Sequence, residues 1–153
     1  MTPTLRQLLD RERHGVLATL SARRQGWPFA SVAPYALTAD GEPLLLFSDL
    51  AEHTRNVRGD PRASLLVQDS LALEDPQAGS RVTLLGTVEP VPADAVTHAR
   101  DWYLSRHPGS ADHLAMADFH LYRLHVSEAR FIAGFGDMGW ITSPDRLRSA
   151  LST

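Results

Sequence analysis

Apolar residues fall in short blocks along this chain, and their spacing alternates between that of a helix and that of a strand. Leu5, Leu8 and Leu9 recur at i, i+3 and i+4 with charges between them, which predicts an amphipathic helix over 4–14, ended by Gly15. Val16 to Leu20 is a short apolar strand. Arg23-Arg24-Gln25-Gly26 is a polar turn of hairpin type, and Trp27 to Leu37 is the returning strand. Alternation puts Ser31, Ala33, Tyr35 and Leu37 on one face and Ala30, Val32, Pro34 and Ala36 on the other. Pro34 cannot donate to a ladder, so it marks an edge or a bulge. The small residues at 30, 31 and 33 leave room for a flat group against the backbone. Ala39 to Pro43 is a turn.

The next stretch, Leu44 to Leu66, reads as strand, short helix, stop, strand. Leu44 to Phe47 is too short an apolar run for a helix. Ser48 and Asp49 offer cap oxygens, and Glu52 stands three after Asp49, as in a capping box. The helix carries His53, Thr54, Arg55 and Asn56. Gly59 is the expected left-handed stop and Pro61 prevents continuation. Ala63 to Val67 is apolar again. A helix so delimited, with such polar contents, suits either a ligand grip or a solvated connection.

Beyond it, 68–80 reads as a mobile acidic loop, with Asp69, Glu74 and Asp75. Arg81 to Val91 is a strand, in which Gly86 suggests a bend or bulge. Ala93 to Arg106 is a helix stopped by His107-Pro108-Gly109, and a further helical turn covers 112–117. Phe119 to Val126 and Arg130 to Phe135 are two strands. The Gly-rich run 134–140 is either a strand-end turn or a lip that lays Trp140 near a bound ring. Ser143-Pro144 opens a last short helix. Six or seven strands, joined mostly by turns, predict a mainly β (α+β) fold: a small closed antiparallel barrel with flanking helices.

Composition narrows the chemistry. The 153 residues fit one domain, 1–153, with a substantial core. A net charge of -3 offers no general attraction to nucleic acid or acidic membranes. Cysteine is absent, which excludes thiolate metal sites and a Cys nucleophile, and suits a cytoplasmic protein. No apolar run is long enough to span a membrane or serve as a secretory signal. The seven histidines show no metal-site spacing, although a single axial haem ligand needs no motif. Nucleophile-elbow, dinucleotide and P-loop signatures are missing. His53, Thr54, Arg55, Arg58 and Arg62 could recognise a phosphate through side chains, because Asp49 would occupy the helix-end donors.

The run from Trp27 to Leu66, with PFASVAPYA, LLLFSDLAEHTRN and DPRASLLV, resembles the FMN-binding split-barrel superfamily typified by pyridoxamine 5′-phosphate oxidase. RVTLLGTVEPV extends the match to Val91. SDLAEHTRN and ARFIAGFGDMGWI look most like the haem-utilisation branch of that superfamily. The resemblance implies a six-stranded split β-barrel and a homodimer with cofactor sites at the subunit interface. It further implies that Ser31, Val32 and Ala33 run beside a flavin ring. Phe47 and Ser48 would line the phosphate end, near His53, and Thr54 and Arg55 would grip the phosphate. Arg81 and Val82 would approach the ring from the partner subunit, and Trp140 would close the site.

This chain departs from the oxidase pattern. The positions matching Ser31 and Ala36 are basic there, the one matching Val82 is Gln, and the C-terminal Arg-Leu-His motif is absent here. These departures argue against pyridoxamine phosphate oxidation. The resemblance implies first an FMN-dependent oxidoreductase acting on a small-molecule substrate, with its catalytic residues unassigned. The alternatives on the same fold are a haem-binding or haem-degrading protein and a non-catalytic dimeric binding module.

Overall fold

The computed structural model describes residues 2–134 and 138–152. Helix α1 spans Leu5–Arg11 and begins with a reciprocal cap: the Thr4 hydroxyl accepts from the Gln7 N–H, and the Gln7 amide oxygen accepts from the Thr4 N–H. It ends before Gly15. That glycine lies within strand β1 (His14–Leu20), where a Cβ would press on the Leu66 carbonyl, so close strand approach explains it better than a helix stop.

Six more strands follow: β2 (Pro28–Leu37), β3 (Pro43–Ser48), β4 (Arg62–Gln68), β5 (Arg81–Pro90), β6 (Phe119–Ile132) and β7 (Met138–Ile141). They form one antiparallel sheet in the order β3-β2-β1-β4-β5-β6-β7, and a further β3–β6 pairing closes the first six into a barrel. This is the expected barrel, with β7 added outside the ring on β6. The two strands expected over 119–135 are one continuous β6. Leu85 pairs with Glu128 and Gly86 with Val126, so Ser127 is an extra residue on its strand. The polar pair Ser127-Glu128 therefore marks a bend and not a break. A Cβ on Gly86 would overlap the His125 carbonyl, which is why glycine stands there. Phe135, Gly136 and Asp137 of the Gly-rich run lie outside the described residues.

The barrel is split beside β2. That strand pairs with β1 from Pro28 to Pro34 but with β3 only from Tyr35 to Leu37. Pro34 stands at the hand-over, where its missing N–H is tolerated, while the Tyr35 N–H donates to the Arg13 carbonyl. Pro28 to Ala33 thus keep one edge without a strand partner.

Helix α2 (Glu52–Gly59) connects β3 to β4; α3 (Val96–Arg106), α4 (Ala111–Ala115) and α5 (Pro144–Ser152) complete the chain. The interior is filled by Leu17, Tyr35, Leu45, Phe47, Leu65, Val82 and Leu84, with α1 and α5 adding Leu8, Leu9, Leu147 and Leu151. Tyr35 locks α1 down by donating to the Leu9 carbonyl at 2.7 Å. A smaller cluster packs Ala99, Tyr103 and Leu114 against the outer side of Ala36, Leu44 and Leu121.

The acidic loop expected to be mobile is fastened. Arg11 pairs with Asp69 at 2.7 Å, buried Glu12 accepts from the N–H and hydroxyl of Ser70, and Arg81 donates to the Gln77 and Gly79 carbonyls. Composition showed the charges of the loop but not their partners on α1. Among the described residues no helix is long and apolar enough to cross a membrane.

Candidate functional site

Helix α2 sits by the split and is mounted by its own polar side chains. Wholly buried Asn56 accepts from the Ala22 N–H at 2.9 Å and donates to the Thr19 hydroxyl at 3.0 Å. Thr54, equally buried, donates to the Ser48 carbonyl at 2.6 Å. The expected cap differs. The chain makes a turn over 48–51, so the helix starts at Glu52 with Ala51 as an N-cap that makes no side-chain bond. Asp49 instead pairs with Arg58 at 2.6 Å and His120 at 3.3 Å. The Arg58 hydrogen bond, then the His120 charge, hold its carboxyl below the usual carboxylate range. Gly59 is the last helical residue and extended Asp60 follows, so no left-handed stop forms; Pro61 ends the helix without one.

His53 is the side chain that α2 presents to the free edge. Its Nδ1 lies 3.2 Å from the Ser31 hydroxyl, and its ring lies 4.2 Å from the Phe47 ring, tilted by 40°. Burial pushes the imidazole below its ordinary pKa, so it is neutral at pH 7. Among the described residues Nε2 makes no hydrogen bond. Arg55, two positions on, is turned about 200° around the helix. It is exposed, 3.9 Å from Glu52, which also pairs with Arg23 at 3.0 Å.

The residues singled out from the sequence therefore separate in space. Ser31 and His53 meet at the split, while the Ser48 hydroxyl accepts from the Leu50 N–H in the turn before α2. Ala33, Phe47, Thr54 and Val82 are buried, so their side chains do not face a ligand outside the single chain; the Thr54 hydroxyl already serves the Ser48 carbonyl. Arg81 is engaged with the loop before it. Val32 and Trp140 stand on the outer sheet face at opposite ends of one row. Cross-strand pairs run Val32–Val16–Leu66–Thr83–Arg130–Trp140. Five strand spacings of ~4.8 Å make a path of roughly 24 Å around the sheet. Trp140 and Val32 are thus far apart along the sheet. Trp140 instead lies over the Arg130 guanidinium, 5.7 Å from it.

Sequence reasoning missed this row. Val16 and Leu66 are out of phase with buried Leu17 and Leu65, which was the available signal. Continuous apolar runs concealed it. Asn56 was read only as part of the polar contents of the helix, and its amide proves to be an anchor. Among the described residues no cluster of three metal-ligating side chains exists.

A closed barrel opened at one strand edge, with a polar helix adjoining it, defines a split-barrel protein. The chain belongs to the CREG beta-barrel family, whose model matches residues 3–147. It is 33% identical over 132 residues to the non-canonical heme oxygenase HOZ, chloroplastic, of Arabidopsis thaliana, covering 85% of this chain and 39% of that protein. It is 26% identical over 149 residues to the heme oxygenase HutZ of Vibrio cholerae serotype O1 (strain ATCC 39315 / El Tor Inaba N16961), covering 95% of this chain and 83% of that protein. The solved structure of a heme binding protein from Mycobacterium smegmatis superposes with a TM-score of 0.86 at 35% identity, over 94% of this chain and 58% of that one. The chain thus spans less than two thirds of the plant and mycobacterial proteins.

The resemblance to the haem-utilisation branch holds. The expectation of an FMN-dependent oxidoreductase is overturned, because these relatives carry haem names and not flavin names.

Proposed function

We propose that this chain binds haem at the split of its barrel and takes part in oxidative haem degradation. The observation that carries this reading is His53, a neutral imidazole on α2 beside the free edge of β2. When Nδ1–H donates to Ser31, the Nε2 lone pair is available to iron, and the hydrogen bond fixes ring orientation and basicity. The small residues Ala30, Ser31 and Ala33 let a flat macrocycle approach the strand. Arg23 and Arg24 stand in the turn at the end of that edge, about 13 Å along the strand from Ser31. Arg23 pairs with Glu52, whereas Arg24 makes no ion pair among the described residues, which leaves it for a propionate. Trp27, 72% exposed, adds an aromatic surface at the same end.

A homodimer accompanies this proposal. The outward row from Val32 to Trp140 includes Val32 at 67% and Val16 at 36% exposure, in register on one face. Two copies meeting through antiparallel rows would bring Trp140 of each beside Val32 of the other and complete each split with a second chain.

Titration of the purified protein with haemin tests the reading. The expected result is a saturable shift of the Soret band that His53→Ala removes. An unshifted Soret band in the unaltered protein would overturn it. Adding ascorbate in air to the complex then tests degradation: the Soret band should decay faster than for free haemin.

A further inference from the structure

On the other side of α2 lies a cavity of about 550 Å³ that the haem proposal does not use. It lies between the outer face of β3 and β6 and the segments carrying α3 and α4. Its floor is apolar, with Leu46, Leu114 and Leu121 contributing, continuous with the smaller core cluster. Its charged lining is two guanidinium groups, Arg58 and Arg100, with the His120 imidazole beside them. One carboxylate serves two of these three, since Asp49 takes Arg58 on one oxygen at 2.6 Å and His120 on the other at 3.3 Å. Arg100 meets no carboxylate among the described residues. The pocket therefore carries unmatched positive charge above an apolar floor, and its volume falls in the range of small-molecule sites. Arg58 is further steadied by the buried Tyr122 hydroxyl beside it.

We infer that this cavity is a second ligand site, for a small amphiphilic carboxylate. The carboxylate sits between Arg100 and Arg58, and the apolar tail lies on Leu46, Leu114 and Leu121. An alcohol of equal length lacks the charge-assisted bonds and binds more weakly. An amine meets the guanidinium groups as a like charge and is rejected. The site is independent of His53, which faces β2 from another side of α2.

Octanoate is the probe, titrated calorimetrically into the full chain, with octanol and octylamine as comparators. Octanoate should bind saturably at one site per chain, octanol about tenfold more weakly, and octylamine not at all. Arg100→Gln, a change at an exposed side chain, should weaken octanoate about tenfold, and Asp49→Asn should strengthen it by freeing Arg58 and His120. His53→Ala should leave octanoate binding unchanged, so this result stands apart from the fate of the haem reading. Equal affinity for octanoate and octanol, indifference to Arg100→Gln, or absence of saturable binding would each overturn the proposal.

Discussion

The Nδ1 atom of His53 and the hydroxyl of Ser31 stand 3.2 Å apart across the split, joining the polar helix to the one strand edge the barrel leaves open. The contact relates a helix and a strand 22 positions apart in sequence, and it fixes the ring whose other nitrogen has no partner among the described residues. Ser31→Ala should weaken haemin binding about tenfold or more, as loss of a partner behind a metal-binding imidazole does. Soret titration of the variant measures this. An unchanged affinity would separate Ser31 from the site.

Burial lowers the pKa of His53 below its ordinary value, which sets the sign of a pH effect. The unfolded chain takes up a proton near pH 6.5, whereas the folded chain resists protonation until lower pH. The stability associated with neutral His53 is therefore fully present above about pH 6.5 and is lost as pH falls through the folded value. Haemin affinity should be level from pH 8 to about 6.5 and decline only as pH falls further, through the lowered folded value. His53→Phe should flatten the acid limb of the urea midpoint plotted against pH.

Asn56 is the peg that mounts α2 on β1. Asn56→Ala leaves the Ala22 N–H without its partner and the Thr19 hydroxyl with only its long 3.5 Å bond to the Phe29 carbonyl, and should cost about 1–3 kcal/mol. Urea unfolding measures it. A loss under about 0.5 kcal/mol, typical of an exposed site, would show that the helix is held some other way.

Gly86 holds the bend of β6 against β5. Gly86→Ala forces a Cβ into the His125 carbonyl, so the register shift between Leu85 and Gly86 cannot persist unchanged. The expected loss is about 3 kcal/mol or more, in the range of severe backbone and packing defects. Thermal unfolding of the variant beside the parent chain checks it.

Val32→Glu tests the proposed dimer. Val32 is largely exposed in the single chain, so the fold of the monomer should change by no more than about 0.5 kcal/mol. Placed against Trp140 of the other copy, the same carboxylate should separate the copies. Light scattering should give twice the chain mass for the parent protein and the single-chain mass for the variant. A parent protein already monomeric would remove the dimer.

Much of the fold was legible because it rests on local patterns. The alternation placed Ser31, Ala33, Tyr35 and Leu37 on one face, which proves to be the inward face of β2, and Gly86 signalled the irregularity between β5 and β6. The Ser143-Pro144 start and the short apolar runs were equally local. The misreadings share one cause: each residue had a local role available but took a distant partner. Asp49 looked like a cap and pairs with Arg58 and His120. Gly15 looked like a helix stop and makes room for β4. Ser127-Glu128 looked like a break and lies at a bend imposed by β5.

The candidate site divides along the same line. The sequence by itself determined a strand–helix–strand unit rich in polar and basic residues, within a barrel of short strands, because hydrophobic period and turn chemistry act over a few residues. It did not determine which of those polar groups face a ligand. Tertiary structure decided that Asn56 and Thr54 are anchors, that Arg55 turns to solvent, and that His53 stands neutral beside the open edge of β2. The physical reason is barrel closure. Pairing β3 with β6 draws α2 against β1 and β2, burying some of its polar side chains against specific partners and leaving others exposed.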